Sequence, residues 1–139
     1  MVTAVTHERR LVFADAAPSD ILLEAVLFGR KQGWYYIFAF VIMPDHLHMI
    51  ITPKDKNISE CVKSIKGFSS RRINTLLSSR GSLWQRGFFD HILDTEEKVL
   101  SRIRYIEENP VRKGLVEKPE EYKYSSFRLQ EETDLEMLF

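Results

Sequence analysis

Between Trp34 and Thr52 the pattern of apolar and polar residues changes once, and the change defines two neighbouring elements. Trp34 to Met43 is an unbroken apolar run rich in aromatic and β-branched residues, which predicts a strand covered on both faces. Pro44-Asp45 interrupts it. From His46 the pattern alternates: Leu47, Met49 and Ile51 fall on one side of a strand, and His46, His48, Ile50 and Thr52 on the other. Two such runs separated by a two-residue break predict an antiparallel hairpin.

The flanking segments follow the same logic. Val2, Val5 and Thr6 mark a short opening strand before the turn at His7-Glu8-Arg9-Arg10, within a segment ending near Phe13. Ser19 or Asp20 is placed to cap a helix through about Gln32, with Ile21, Leu22, Ala25, Val26 and Phe28 near a 3.6-residue period and Gly33 as the stop. Asn57 with Glu60 forms a capping box. The helix behind it carries Ile58, Val62, Ile65, Ile73 and Leu76 on one side, with a bend expected at Gly67. Leu83 to Leu93 reads as a fourth strand, and Thr95 with Glu96 and Glu97 opens a third helix expected to stop at Asn109, before Pro110. Strand, helix, strand, strand, helix, strand and extra helix predict an α+β fold of the ferredoxin-like (RRM-like) kind. It has a four-stranded antiparallel sheet, its two inner strands joined as a hairpin, two packing helices on one side and the third helix on the other. If Leu47, Met49 and Ile51 face the two packing helices, His46 and His48 face the third.

A chain of 139 residues that is 44% hydrophobic supports one core, so residues 1–127 are expected to form one domain and 128–139 an acidic tail. The apolar run is too short to span a bilayer, and Arg9 and Arg10 interrupt any signal-like start. The expectation is a cytoplasmic protein with no membrane partner. Cys61 is the single cysteine, which excludes an intrachain disulfide and a cysteine-based zinc site and leaves His, Asn, Gln or carboxylate as metal ligands. Net charge is zero, but the sign is segregated. Lys63, Lys66, Arg71, Arg72, Arg80 and Arg86 lie between Cys61 and Phe89 without an acidic residue, while acidic residues predominate after Glu117.

Two imidazoles on one face of a strand can grip one divalent ion, although such a pair also serves as hydrogen-bonded, half-buried histidines. The third helix offers the complement. Val99, Ile103 and Ile106 form its apolar stripe, and Arg102, Tyr105 and Asn109 share the flank beside it, with Tyr105 and Asn109 one turn apart. A phenol is a weak nucleophile at neutral pH and needs a cation or base nearby. An ion on His46, His48 and Asn109 would polarise a phosphate near the Tyr105 oxygen, with Arg102 balancing its charge.

Three ordered motifs carry a resemblance: Met43-Pro44-Asp45-His46-Leu47-His48, Leu83-Trp84-Gln85-Arg86-Gly87-Phe88, and Tyr105 through Val116, with Tyr124-Ser125-Ser126-Phe127 following. From about His7 to Phe127 the chain resembles the single-tyrosine HUH transposases of the IS200-like group, and the REP-associated tyrosine transposases in particular. The resemblance implies magnesium or manganese held by His46 and His48, with Asn109 at the place of a further polar ligand. It also implies Tyr105 as the nucleophile that attacks single-stranded DNA, leaving a 5′-phosphotyrosine link and a free 3′-hydroxyl, with strand transfer as the reverse step.

Single-stranded or hairpin DNA is the partner so implied, with Lys63, Lys66, Arg71, Arg72 and Arg86 as phosphate contacts and Trp84 as a stacking ring. Arg112 and Lys113, expected just past the third helix, are placed to touch a hairpin. A homodimer is left open, and so is the alternative of a domesticated hairpin-binding protein that does not cut. A histidine-triad hydrolase needs a third histidine where Ile50 stands, and an RNA-recognition module needs aromatic residues where the histidines stand. The acidic tail is a candidate competitor for the basic surface.

Overall fold

The computed structural model describes residues 1–138. Four strands, β1 (Val2–Val5), β2 (Tyr35–Met43), β3 (His46–Pro53) and β4 (Phe89–Asp90), form one antiparallel sheet in the order β2-β3-β1-β4. The helices are α1 (Ala16–Lys31), α2 (Ile58–Leu77) and α3 (Glu96–Arg112). The β2–β3 hairpin supplies one edge strand and one inner strand, not both inner strands as the sequence suggests, because β1 inserts between β3 and β4.

The sheet separates two apolar layers. Leu47 and Met49 of β3 pack with Leu22 and Val26 of α1 and with Val62, Ile65 and Ile73 of α2, whereas Ile50 packs with Ile103 and Ile106 of α3. The period-two pattern of β3 therefore sorts its residues as expected. In β2 the parity slips. Tyr35, Ile37, Phe40 and Ile42 face α1 and α2, while Phe38, Ala39, Val41 and Met43 face α3, because a bulge between Ile37 and Ala39 inserts one residue.

An edge strand as apolar as β2 needs cover for its unpaired backbone groups. The C-terminal segment provides it: Ile42 N–H donates to Tyr124 O (2.9 Å), Ser126 N–H to Phe40 O (2.9 Å), and Phe40 N–H to Ser126 Oγ (3.1 Å). At the bulge, Ile37 N–H donates to Asp134 Oδ2 (2.9 Å) and Asp134 N–H to Ile37 O (2.7 Å), with Arg30 holding the same carboxylate through Nε and Nη2, each at 3.1 Å. Leu135 and Leu138 join the α3-side layer. The acidic tail thus lies along the β2 edge rather than across the basic surface of α2.

Several boundaries depart from the sequence expectation. α1 begins at Ala16, not at Ser19 or Asp20, because Ser19 turns its hydroxyl back onto Asp15 O and Phe13 O inside the first turn. The capping box of Asn57 and Glu60 is present, and α2 runs unbroken through Gly67, but Leu76 is 48% exposed and does not belong to the buried side. The fourth strand shrinks from Leu83–Leu93 to Phe89–Asp90. Lys66 Nζ draws the carbonyls of Gln85 and Gly87 toward α2, and Gly87 takes φ +76°, so the ladder cannot continue through them. α3 does not stop at Asn109: Pro110 lies inside it, and Lys113 N–H to Asn109 O (3.0 Å) and Leu115 N–H to Pro110 O (2.9 Å) close the end three residues later. Burial of Asn109 and Pro110 against the sheet outweighs the local restriction that proline imposes.

Candidate active site

Cross-strand register builds the histidine face. His46 lies opposite Val5 of β1 and Met43 of β2, and His48 lies opposite Thr3 and Val41. Residues paired across an antiparallel ladder present their side chains to the same face. Thr3 Oγ1 accordingly stands 2.8 Å from His48 Nδ1, while Asp45 Oδ1, in the hairpin turn, stands 2.6 Å from His46 Nδ1. With both Nδ1 atoms engaged, the two Nε2 atoms point at one another, 3.1 Å apart.

Donor chemistry fixes much of the proton arrangement. A carboxylate only accepts, so His46 Nδ1 carries a proton, and in the neutral form of the ring the lone pair is left at Nε2. Thr3 can donate or accept. When its hydroxyl donates to His48 Nδ1, His48 Nε2 donates to His46; when it accepts, both Nε2 lone pairs converge on one point. Two ligands of an octahedral ion, each about 2.1 Å away and at right angles, stand about 3 Å apart, so the pair fits the requirement for one small divalent cation. Orientation of ligating histidines by a carboxylate and a hydroxyl is the usual supporting arrangement. Among the described residues, no third His, Cys, Asp or Glu completes a cluster with them, which leaves amide, water and substrate oxygens as the further donors.

The charge state agrees. Burial, followed by repulsion from His46 whenever that ring also carries a proton and by the positive fields of Arg112 and Arg102, pushes His48 down to about 4 against the opposing pull of Asp45, so its imidazole is neutral at physiological pH. Burial alone would raise the Asp45 carboxyl, but its hydrogen bonds and charge contacts with His46 and Arg9 prevail and hold it below its ordinary value. Arg9 Nη1 donates to Asp45 Oδ2 at 3.1 Å.

α3 carries Tyr105 over this face. Its ring centroid is 6.3 Å from that of His48, and the residue is 41% exposed, so the ring touches the histidine layer while remaining open to solvent. The Arg112 guanidinium lies 4.0 Å from the Tyr105 ring centre and Arg102 lies 5.3 Å from it. Arg112 is not beyond the helix, as the sequence had suggested, but in its last turn, where Nη2 donates to Tyr105 O (2.6 Å) and to Asn109 Oδ1 (3.4 Å). Asn109 is 2% exposed, one turn past Tyr105, with its oxygen facing Arg112. Lys113 shares a shallow pocket with His46, Arg9 and Asp45.

Arg102, Arg112 and Lys113 are therefore gathered around the histidine–tyrosine face, but the α2 residues are not. Lys63, Arg71 and Arg72 belong to the layer on the other side of the sheet, and Arg72 is paired with Glu24 at 2.9 Å. Lys66 is spent on loop carbonyls, and its desolvation lowers the affinity of its amine for a proton. Trp84 is buried, donating from Nε1 to Ser69 Oγ (3.1 Å) and packing on Phe13, so it offers no stacking surface. Arg86 is exposed beside β4. Sequence reasoning missed Thr3 and Arg9. Thr3 had no local signal, since only the β1–β3 register brings it to His48; an aspartate directly before the first histidine was the visible hint for Asp45.

Comparison with known proteins places this geometry in context. The family described as "Transposase IS200 like" matches residues 2–109. A REP-associated tyrosine transposase of Escherichia coli is 27% identical over 110 residues, covering 78% of this chain and 64% of that protein; a Haemophilus influenzae protein assigned to the same group is 28% identical over 100 residues, covering 64% and 57%. The chain thus spans about three fifths of the length of these relatives. Among solved structures, a REP-associated tyrosine transposase bound to a REP hairpin superposes with a TM-score of 0.73 at 21% identity, over 91% of this chain and 74% of that one. A Deinococcus radiodurans protein described as a transposase gives 0.54 at 24% identity, over 78% and 86%.

Proposed function

The chain belongs to the IS200-like transposase family, and on that premise we propose that it is a metal-dependent endonuclease and strand transferase acting on single-stranded DNA at hairpin-associated sites, with Tyr105 as its nucleophile. The observation that carries this reading is the convergence of His46 Nε2 and His48 Nε2 beneath a tyrosine ring flanked by two guanidiniums.

His46 and His48, with Asn109 as a third donor, would hold magnesium or manganese, which when bound supplies Lewis-acid polarisation of a phosphate oxygen. The chain's own groups do the rest. Asp45 favours the ligating tautomer of His46, and Thr3 supports that of His48 when its hydroxyl accepts from Nδ1. Arg102 and Arg112 place positive charge where the phosphate and its developing charge would sit, close to the phenol. The Tyr105 oxygen loses its proton and attacks phosphorus, the bond from phosphorus to the 3′ oxygen breaks, and that oxygen leaves as a 3′-hydroxyl by taking up one proton in exchange for the one the phenol gave up. A new 3′-hydroxyl attacking the phosphotyrosine reverses the step and joins strands. Lys113 and Arg86 extend the positive surface on this side. Lys63, Arg71 and Arg72 would serve a hairpin only by its reaching round to the α2 face, and Lys66 acts on the protein's own loop.

Incubation with end-labelled single-stranded oligonucleotides carrying a hairpin, in manganese or magnesium, is expected to yield a covalent adduct resistant to denaturing electrophoresis. Tyr105→Phe removes the attacking oxygen and is expected to abolish the adduct, by at least about 10³-fold, while retaining hairpin binding. Wild-type binding with no adduct under any divalent ion would leave a binding protein without cleavage activity.

A further inference from the structure

β4 is only two residues long, yet one of them is a phenylalanine that is 66% exposed. Its face is fixed by pairing. Phe89 lies opposite Thr3, whose hydroxyl meets His48, so Phe89 stands on the histidine face of the sheet; its neighbour Asp90 lies opposite Val2, which is buried toward α1 and α2. From β3 across β1 to β4 is two strand spacings, about 10 Å, a distance that one nucleotide's sugar and base can bridge. Thr3, Val5, Gln85, Arg86 and Phe89 are among the residues that line a small groove there, and Thr3 and Val5 are the cross-strand partners of His48 and His46. Arg86 at one side and Arg102 near Tyr105 at the other make the approach positive.

An apolar ring standing free beside a phosphate-sized positive site has the composition of a stacking platform: a flat π surface for a base, and cations for the backbone on either side. Aliphatic edge residues would shed water equally well, but they offer no flat π surface. We propose that Phe89 is the platform on which the nucleobase adjoining the scissile phosphate stacks, a proposal that rests on the single-stranded DNA reading above and identifies one of its subsites. A single base so held fixes the strand's path across β1 and sets which phosphate is presented to Tyr105. Phe89 is therefore a positioning residue.

The test uses full-length protein and hairpin oligonucleotides carrying 2-aminopurine, or an abasic site, at each of the two positions flanking the cleaved phosphate. Wild-type protein should quench 2-aminopurine at one of them. Phe89→Ala and Phe89→Leu should lose that quenching and weaken binding between about 5-fold and 100-fold, while Phe89→Trp should restore both. On the abasic substrate wild type and Phe89→Ala should bind alike. Equal loss on both substrates, or no loss on either, overturns the proposal, as does a Phe89-dependent dimer in sedimentation with unchanged DNA affinity. Because quenching and affinity do not require cleavage, the two ideas separate. Stacking without an adduct removes the catalytic reading alone, and an adduct indifferent to Phe89 removes the platform alone.

Discussion

The two faces of β3 are built from alternate residues of one seven-residue stretch, and they do opposite work. Leu47 and Met49 are buried against α1 and α2 in an apolar layer that excludes water. His46 and His48 sit one residue out of phase, under a helix that covers them incompletely, with each ring tied to a different partner. The contrast teaches that one step along the strand separates residues that stabilise by excluding water from residues whose contribution depends on protonation and on hydrogen-bond partners.

The largest effect on that contrast should come from the packed face. Leu47→Ala leaves a cavity between sheet and helices and is expected to cost about 2–5 kcal/mol, read as a lower denaturant midpoint, with the residual folded protein still binding manganese. Loss of manganese affinity at unchanged stability would break the division between faces. Next comes the pH response of the histidine face. His48 titrates near 6.5 when unfolded and near 4 when folded, so between those values the unfolded chain binds the extra proton. Stability is therefore full above pH 6.5 and falls as pH drops toward 4, by on the order of 3 kcal/mol. Urea unfolding of metal-free protein should show that slope, and His48→Gln should flatten it. Smallest, and most selective, are the supporting partners. Thr3→Val and Asp45→Asn should each weaken manganese binding by about 10–100-fold in titration calorimetry, with a melting temperature near that of the wild type.

Much of this was legible in local pattern. The hairpin, the capping box at Asn57, the apolar stripe of α3 and the placement of the histidines opposite the two packing helices all follow from periods and caps that a few neighbouring residues determine. What stayed hidden depends on distant segments. Thr3 reaches His48 through strand register, 45 positions away in sequence. The bulge in β2 is stabilised by Asp134 from near the C-terminus, and β4 is cut short by a lysine from α2. Arg112 was legible as a cation but not as one folded back over Tyr105, because that required α3 to continue through Pro110. The basic block of α2 shows the converse: charge counted along the chain overstated what reaches the site, since the sheet stands between.

The Thr3 hydroxyl has a consequence for how the site is filled. Because a threonine oxygen can swap between giving and receiving a proton by rotation about a single bond, the empty and loaded forms can share the same heavy-atom framework. If the proposed cation binds at the two Nε2 atoms, a proton would have to move from one ring nitrogen of His48 to the other and a rotor to swing, with no net release of acid. The apo protein would thus wait already shaped for its ion, and filling would be governed by the ion's own dehydration.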